Sequence, residues 1–143
     1  MYKDATLVMA DAETGTTSGA STSYIDAKAA GNAYVGAWFV VGIDIAFTVG
    51  AGAPTATFQL QTSNDANFID ATTATVCQSS ALLAAALTID TLVFKTRIPP
   101  GTKRYLRAYK VVDSGAEAKR FVLGKWDAFI VKDVDMDIDG GSR

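Results

Sequence analysis

The cleanest two-residue alternation in the sequence lies at residues 55–62, which read Thr-Ala-Thr-Phe-Gln-Leu-Gln-Thr. Side chains of a β-strand point alternately to its two faces, so this pattern predicts a strand with Ala56, Phe58 and Leu60 facing a core. Threonine and glutamine at the intervening positions would face outward, at Thr57, Gln59 and Gln61. The stretch therefore indicates a half-buried strand of an antiparallel sheet.

Further strand-like runs lie on both sides of this stretch, and turn-forming residues separate them. The longest, residues 38–49, carries aromatic and β-branched residues on one face, at Phe39, Val41, Ile43, Ile45 and Phe47. Other strands are predicted at residues 7–10, 72–77, 91–98, 104–112 and 121–131. We interpret residues 50–54 as a hairpin loop, in which Gly50 and Gly52 are free to take positive φ, and residues 81–87 as a turn or half-buried strand. Helical periodicity is almost absent, so the sequence predicts an all-β, single-domain antiparallel β-sandwich.

The 143 residues suit one domain. We predict a sandwich over residues 1–132, with a flexible Thr/Ser/Gly loop at 14–23, and an acidic C-terminal tail over residues 133–143. The uncharged stretch between Lys28 and Asp44 is interrupted by glycines and is shorter than a membrane span needs, so we expect no membrane span. The first four residues lead into no apolar signal-peptide core, and we expect the product to stay in the cytoplasm where it is made.

The composition disfavours most catalytic classes. The chain has no histidine and one cysteine, so histidine-dependent triads, His-ligated zinc and thiolate metal cages all lack an essential part. Cys77 is interpreted as a small core residue. The net charge of -2 disfavours nucleic acid and anionic membrane as main partners. We therefore expect a protein that is not an enzyme.

The tail contains the pattern Asp-Met-Asp-Ile-Asp-Gly at residues 135–140, which matches the first half of a D-x-D-x-D-G calcium loop. A full loop also needs a bidentate glutamate at its twelfth position, but the sequence runs only to Arg143. An extended tail with its acids on the solvent-exposed face explains the same pattern more simply. We therefore predict no metal and no cofactor. Asp44, inside an apolar run, is interpreted as a buried structural residue or an exposed rim residue rather than a catalytic acid.

Basic residues concentrate in the second half of the chain, where Tyr105 and Tyr109 share a predicted strand face with Arg107. Such a face could stack single-stranded nucleic acid, although lysine and arginine also serve simply to solvate strand faces and protect sheet edges. We favour the second interpretation and expect no nucleic-acid partner. The basic positions are Lys95, Arg97, Lys103, Arg104, Arg107, Lys110, Lys119 and Arg120.

Several runs, taken in order, resemble the capsid cement (head decoration) proteins of tailed phages, specifically the jelly-roll type of short-tailed Bordetella phages. The runs are SYID at 23–26, DIAFT at 44–48, TFQLQTS at 57–63, RIPPGTKRYLR at 97–107 and AFIV at 128–131. The run at 97–107 is the most specific, because it ends one strand, turns, and starts the next in a fixed register.

The resemblance implies a jelly roll that binds the outer surface of the phage head and cements neighbouring major capsid protein subunits. It also implies an oligomer, for which we favour a homodimer over a trimer, and a location on the outside of the virion after synthesis in the host cytoplasm. Three segments are candidates for docking on the capsid: the loop at 14–23, the turn at 99–104 and the acidic tail. Their candidate residues are Thr16, Thr17, Ser18, Pro99, Pro100, Lys103, Arg104, Asp133, Asp135 and Asp137.

Two alternatives belong to other classes. A carbohydrate-binding or head-fibre β-sandwich module would use Trp38, Trp126 and the Tyr105/Tyr109 face as sugar platforms. A small carboxylate-dependent enzyme would need a deep pocket with two facing acids.

Overall fold

The computed structural model describes residues 7–28, 33–69, 73–113 and 120–132. These ranges contain ten β-strands and a 3₁₀ turn at Ala84–Ala86. No helix in them is long and apolar enough to cross a membrane. The strands are β1 (Val8–Thr14), β2 (Gly19–Ala20), β3 (Ile25–Asp26), β4 (Trp38–Ala51), β5 (Thr55–Ser63), β6 (Ala74–Gln78), β7 (Leu82–Leu83), β8 (Leu92–Arg97), β9 (Tyr105–Asp113) and β10 (Arg120–Val131).

The strands form two antiparallel sheets. The first has the order β1-β10-β4-β8, and the second has the order β2-β9-β5-β6, with β3 also paired to β9 and β7 to β5. β2 and β3 both pair with β9, and β6 and β7 both pair with β5, so each pair can be counted as one interrupted strand. The eight strands that result, renumbered 1 to 8 along the chain, have the sheet orders 1-8-3-6 and 2-7-4-5. Consecutive strands then mostly alternate between the sheets, which is the arrangement of a jelly roll. The predicted all-β sandwich and its jelly-roll topology are confirmed.

The prediction of a hairpin at residues 50–54 is wrong. β4 lies in the first sheet and β5 in the second, so residues 52–54 carry the chain from one sheet to the other, and Gly50 still belongs to β4. β4 instead pairs with β10 and β8, which come much later in the sequence. Of the two glycines expected to take positive φ, only Gly52 does so, with a φ of 66°.

The core lies between the sheets and contains the inward residues predicted for the two central strands, except Ile45, which is only half-buried. Phe39, Val41 and Ile43 of β4 and Ala56, Phe58 and Leu60 of β5 are all buried. The Phe58 ring lies 5.4 Å from that of Trp126 on β10, measured between ring centroids, and this contact joins the two sheets. Burial of each large apolar side chain contributes roughly 1.5–3 kcal/mol to the free energy of unfolding. Cys77 is only partly buried against this core, and desolvation raises the pKa of its thiol to about 11.

Lys110 lies inside the sandwich, so its assignment to the basic surface is wrong. It follows Leu106 and Ala108 on the inward face of β9, and its side chain is 2% exposed. Its Nζ donates a hydrogen bond to the carbonyl of Thr14 at 3.3 Å and lies 5.7 Å from the ring centroid of Trp126. Desolvation lowers the pKa of Lys110 to about 8, although the negative charge of Glu13 opposes this shift.

Candidate docking surface

The structure places two of the predicted docking segments at opposite ends of β9. Residues 16–18 lie near Val112, the next-to-last residue of the strand, whereas residues 99–104 lead directly into Tyr105, its first residue. A nine-residue strand is roughly 27 Å long. The two segments therefore do not form one site. The third segment, with Asp133, Asp135 and Asp137, lies outside the described residues.

Ser18 and Ser21 hold the first segment against β9. The Ser18 hydroxyl accepts a hydrogen bond from the Val112 N–H at 2.7 Å and donates one to the carbonyl of the same residue at 3.3 Å. The hydroxyl of Ser21, which is buried, accepts the Ala108 N–H at 3.1 Å. The two-residue strand β2 lies between these serines, so the stretch interpreted as a loop contains a short strand with side-chain hydrogen bonds on both sides. Thr17 is exposed and Thr16 is half-buried.

The turn at residues 99–104 is also tied to the sheet. Pro99 is half-buried and Pro100 exposed. The Lys103 N–H donates to Thr62 Oγ1 at 2.7 Å, and that hydroxyl donates to the Tyr105 carbonyl at 3.0 Å. These bonds fix the register in which β9 begins.

Arg104 has a carboxylate partner within the chain. Its Nε and Nη2 donate to the two carboxylate oxygens of Asp26 at 2.8 and 3.0 Å. Hydrogen bonds from Arg104 and from the Lys28 N–H lower the pKa of Asp26 to about 2. The charge of Arg104 is therefore already matched by an acid on the same surface.

The outer face of the second sheet carries a group of side chains that we name the aromatic–arginine cluster: Tyr24, Phe68, Tyr105, Arg107 and Tyr109. The Arg107 guanidinium carbon lies 4.4 Å from the Phe68 ring centroid and 5.4 Å from that of Tyr109. Tyr24 makes edge-on contacts with Tyr105 at 5.5 Å and with Phe68 at 6.5 Å, between ring centroids. Cation–π and edge-to-face contacts of this kind hold the five side chains in one arrangement.

A row of amide hydrogen bonds extends from the cluster across three strands. Arg107 Nε donates to Gln61 Oε1 at 2.8 Å, and Gln61 Nε2 donates to Gln59 Oε1 at 3.1 Å. Gln59 Nε2 then donates to Gln78 Oε1 at 2.9 Å. The row runs in one direction from β9 through β5 to β6. It fixes glutamine side chains that would otherwise be free to rotate.

Sequence reasoning found part of this face. The alternation of β5 and β9 placed Gln59, Gln61 and the two tyrosines outward, with Arg107 between them. It missed Tyr24 and Phe68, because both reach the face from connecting segments, where no periodic pattern operates. Phe68 has a φ of 55°, which is unusual for a residue with a bulky side chain. The neighbouring sequence does not predict this conformation.

One of the residues proposed as a sugar platform is not accessible. Trp126 is 1% exposed and lies in the core, so it cannot stack against a sugar. Trp38 is half-buried, and its ring contacts Lys95 Nζ at 4.7 Å and the Arg97 guanidinium carbon at 4.6 Å from the ring centroid. Arginine also lies over both tyrosines of the proposed platform, since Arg104 is 5.0 Å from the Tyr105 ring centroid.

Three acids line an open cleft of about 260 Å³ on the first sheet: Asp44, Asp90 and Asp127. Asp44 is exposed, which agrees with its interpretation as a rim residue. Asp127 Oδ1 accepts the Ala12 N–H at 2.6 Å and so has a structural bond in β1. Within the described ranges, no group of three or more His, Cys, Asp or Glu side chains is arranged to hold a metal ion.

Comparison with known proteins identifies a family. The model of the Bbp16 family, named for a Bordetella phage protein, matches residues 9–130, from the first strand to the last. No curated protein matches the sequence. The matched region covers both sheets and the whole aromatic–arginine cluster. The chain therefore belongs to the Bbp16 family and is a phage protein with a jelly-roll fold.

Proposed function

We propose that this protein is a capsid cement protein: a non-enzymatic structural component of the virion that binds the outside of the phage head. It would join neighbouring major capsid protein subunits and stabilise the assembled shell. The observation that carries the proposal is a preformed surface rich in tyrosine and arginine on a phage jelly roll. Tyrosine, phenylalanine and arginine are enriched in protein interfaces and at their energetic hot spots, whereas lysine, aspartate and glutamate are depleted.

The protein would act by binding, without catalysing a reaction. A protein that binds only the assembled, expanded shell stabilises that state by about 2.7 kcal/mol per site when its free concentration is 100 times the dissociation constant. Symmetry repeats the site around the shell, and a homodimer that contacts two subunits would add avidity. Such a protein needs no cofactor. It would accumulate in the host cytoplasm before joining the outer surface of the head.

Co-sedimentation with shells of the phage's major capsid protein tests the proposal. Shells are prepared before and after expansion, mixed with the purified protein, and their melting temperature is recorded in parallel. We expect saturable binding to expanded shells, with a higher melting temperature and a fixed copy number per subunit. Absence of binding to both forms would contradict the proposal.

A further inference from the structure

We infer that the aromatic–arginine cluster is the surface that docks on the shell, and that it receives an acidic patch of the major capsid protein with Arg107 at the centre of the contact. This inference rests on the proposed function and adds to it the docking face and the chemistry of the partner surface. It also differs from the three segments that the sequence alone indicated.

Arg107 carries a positive charge for which the described part of the chain shows no carboxylate partner. Its Nε is bonded to the neutral Gln61, and within the described part of the chain its Nη1 and Nη2 groups have no hydrogen-bond acceptor. Arg104, three residues earlier, differs because Asp26 binds it through both carboxylate oxygens. Arg107 is also half-buried, and the resulting desolvation lowers its pKa. A carboxylate of a partner protein that accepts hydrogen bonds from the two Nη groups would balance the charge of Arg107 with bidentate geometry.

The cluster is organised before any partner arrives. Phe68 and Tyr109 hold the guanidinium by their rings, and the amide row from Gln61 to Gln78 fixes its Nε side. Phe68 has a positive φ, a backbone conformation unfavourable for a bulky side chain, and its buried ring lies beneath Arg107. Side chains that are already fixed lose little conformational entropy on binding, so more of the contact energy appears as affinity.

Other occupants fit this surface less well. Nucleic-acid bases and sugars need open aromatic faces, but arginine lies over Tyr105, Tyr109 and Phe68. A second copy related by a two-fold axis would bring Arg107 near its own symmetry mate, and like charges in such a contact are destabilising. An acidic protein surface avoids both problems.

The test compares arginine variants in the co-sedimentation assay with expanded shells. Arg107→Ala removes the charge, Arg107→Glu reverses it, and Arg107→Lys keeps the charge but loses the planar fork. Arg97→Ala is the matched control, because Arg97 also lies over an aromatic ring, that of Trp38, but on the other sheet. Near-UV circular dichroism and the melting temperature of each free variant verify that it is folded.

We expect Arg107→Ala to weaken shell binding about tenfold or more, as removal of a hot-spot arginine does, and Arg107→Glu to weaken it further. Arg107→Lys should fall between wild type and Arg107→Ala, and Arg97→Ala should bind like wild type. Wild-type affinity should decrease as salt increases. This pattern would support the docking face.

The remaining outcomes overturn the inference in distinguishable ways. If the wild type binds shells and Arg107→Glu binds equally well, the docking face is wrong and the cement function stands. If the wild type binds no shells, the proposed function fails and the docking face fails with it. Loss of self-association in the Arg107 variants, measured by analytical ultracentrifugation, would assign the cluster to a second copy instead. Binding of a 20-nucleotide dT oligomer that Arg107→Ala abolishes would assign it to nucleic acid.

Discussion

The buried side chain of Lys110 makes the stability of the fold depend on pH. Burial lowers its pKa from 10.5 to about 8, so between these values the unfolded chain binds more protons than the folded one. The free energy of unfolding should therefore rise with pH above 8, until the raised pKa of the Cys77 thiol opposes the rise above about 9. A difference of this size corresponds to about 3 kcal/mol, which the folded state loses at neutral pH. Lys110→Met should therefore increase the free energy of unfolding at neutral pH and abolish its increase with pH.

Urea unfolding between about pH 7 and pH 9 measures this effect, below the range in which the raised pKa of Cys77 opposes it. Lys95→Met is the control, because Lys95 is exposed on the first sheet and should leave the pH slope unchanged. An equal slope in the wild type and Lys110→Met would show that Lys110 is not the group responsible.

The buried hydroxyl of Ser21 leads to a second residue-scale prediction. It accepts the N–H of Ala108 in the interior and donates to the Ser23 carbonyl at 2.8 Å. Ser21→Ala leaves that buried N–H without its side-chain acceptor, and we expect a loss of about 1–3 kcal/mol in the free energy of unfolding. Ser23→Ala, at an exposed position two residues later, should change it little. Chemical denaturation measures the free energy of unfolding of both variants. Similar losses in the two would contradict the role given to Ser21.

Among the elements, β10 depends on a glycine where its ladder with β4 is irregular. Gly124 has a φ of 149°, and a Cβ there would lie 2.7 Å from two ring carbons of Phe47. Phe47 in turn packs edge-on against Phe121, with ring centroids 5.1 Å apart, so its ring has little room to move. Gly124→Ala should lower the free energy of unfolding by about 2–3 kcal/mol, from overpacking and backbone strain together.

Gly19→Ala provides the comparison at another strand. Gly19 lies in β2 with nothing within 4 Å of an added Cβ, so alanine should be tolerated there. Equal destabilisation of the two variants, measured by urea unfolding, would mean that the contact with Phe47 is not the cause.

Strand periodicity predicted which residues face inward, but it did not predict which strands are neighbours. The alternation of β5 placed Phe58 and Leu60 in the core correctly, and the same alternation in β9 put Lys110 with Leu106 and Ala108. Lys110 was grouped with the basic surface residues, since lysine is rarely fully buried, but the alternation predicted its position correctly. The hairpin error has a different origin: a strand, a glycine-rich loop and a second strand look alike whether the loop joins neighbours or crosses between sheets. The choice depends on β8 and β10, which lie far along the chain.

For the candidate site too, the sequence predicted the direction of side chains within a strand but not the contacts between distant segments. Arg107 and its two flanking tyrosines share one strand, so their common face was readable from spacing. Tyr24 and Phe68 come from connecting segments 44 residues apart in sequence, and only the folded chain brings them together. The alternation of β9 therefore predicted that Arg107 faces outward. It could not predict the contacts that hold Arg107 in place.

For the whole molecule, the shared core predicts cooperative unfolding of the two sheets. Trp126 on the first sheet packs on Phe58 of the second, and chain connections cross repeatedly between the sheets, so neither sheet retains its core when the other is lost. In a Trp38→Phe variant, Trp126 is the sole tryptophan and its fluorescence reports on the contact between the sheets. Its urea transition should coincide with that of far-UV circular dichroism, which reports on the strands of both sheets, and one midpoint and one slope should fit both signals. Two separated transitions would mean that one sheet persists alone, and the jelly roll would then have to be treated as two units of unequal stability.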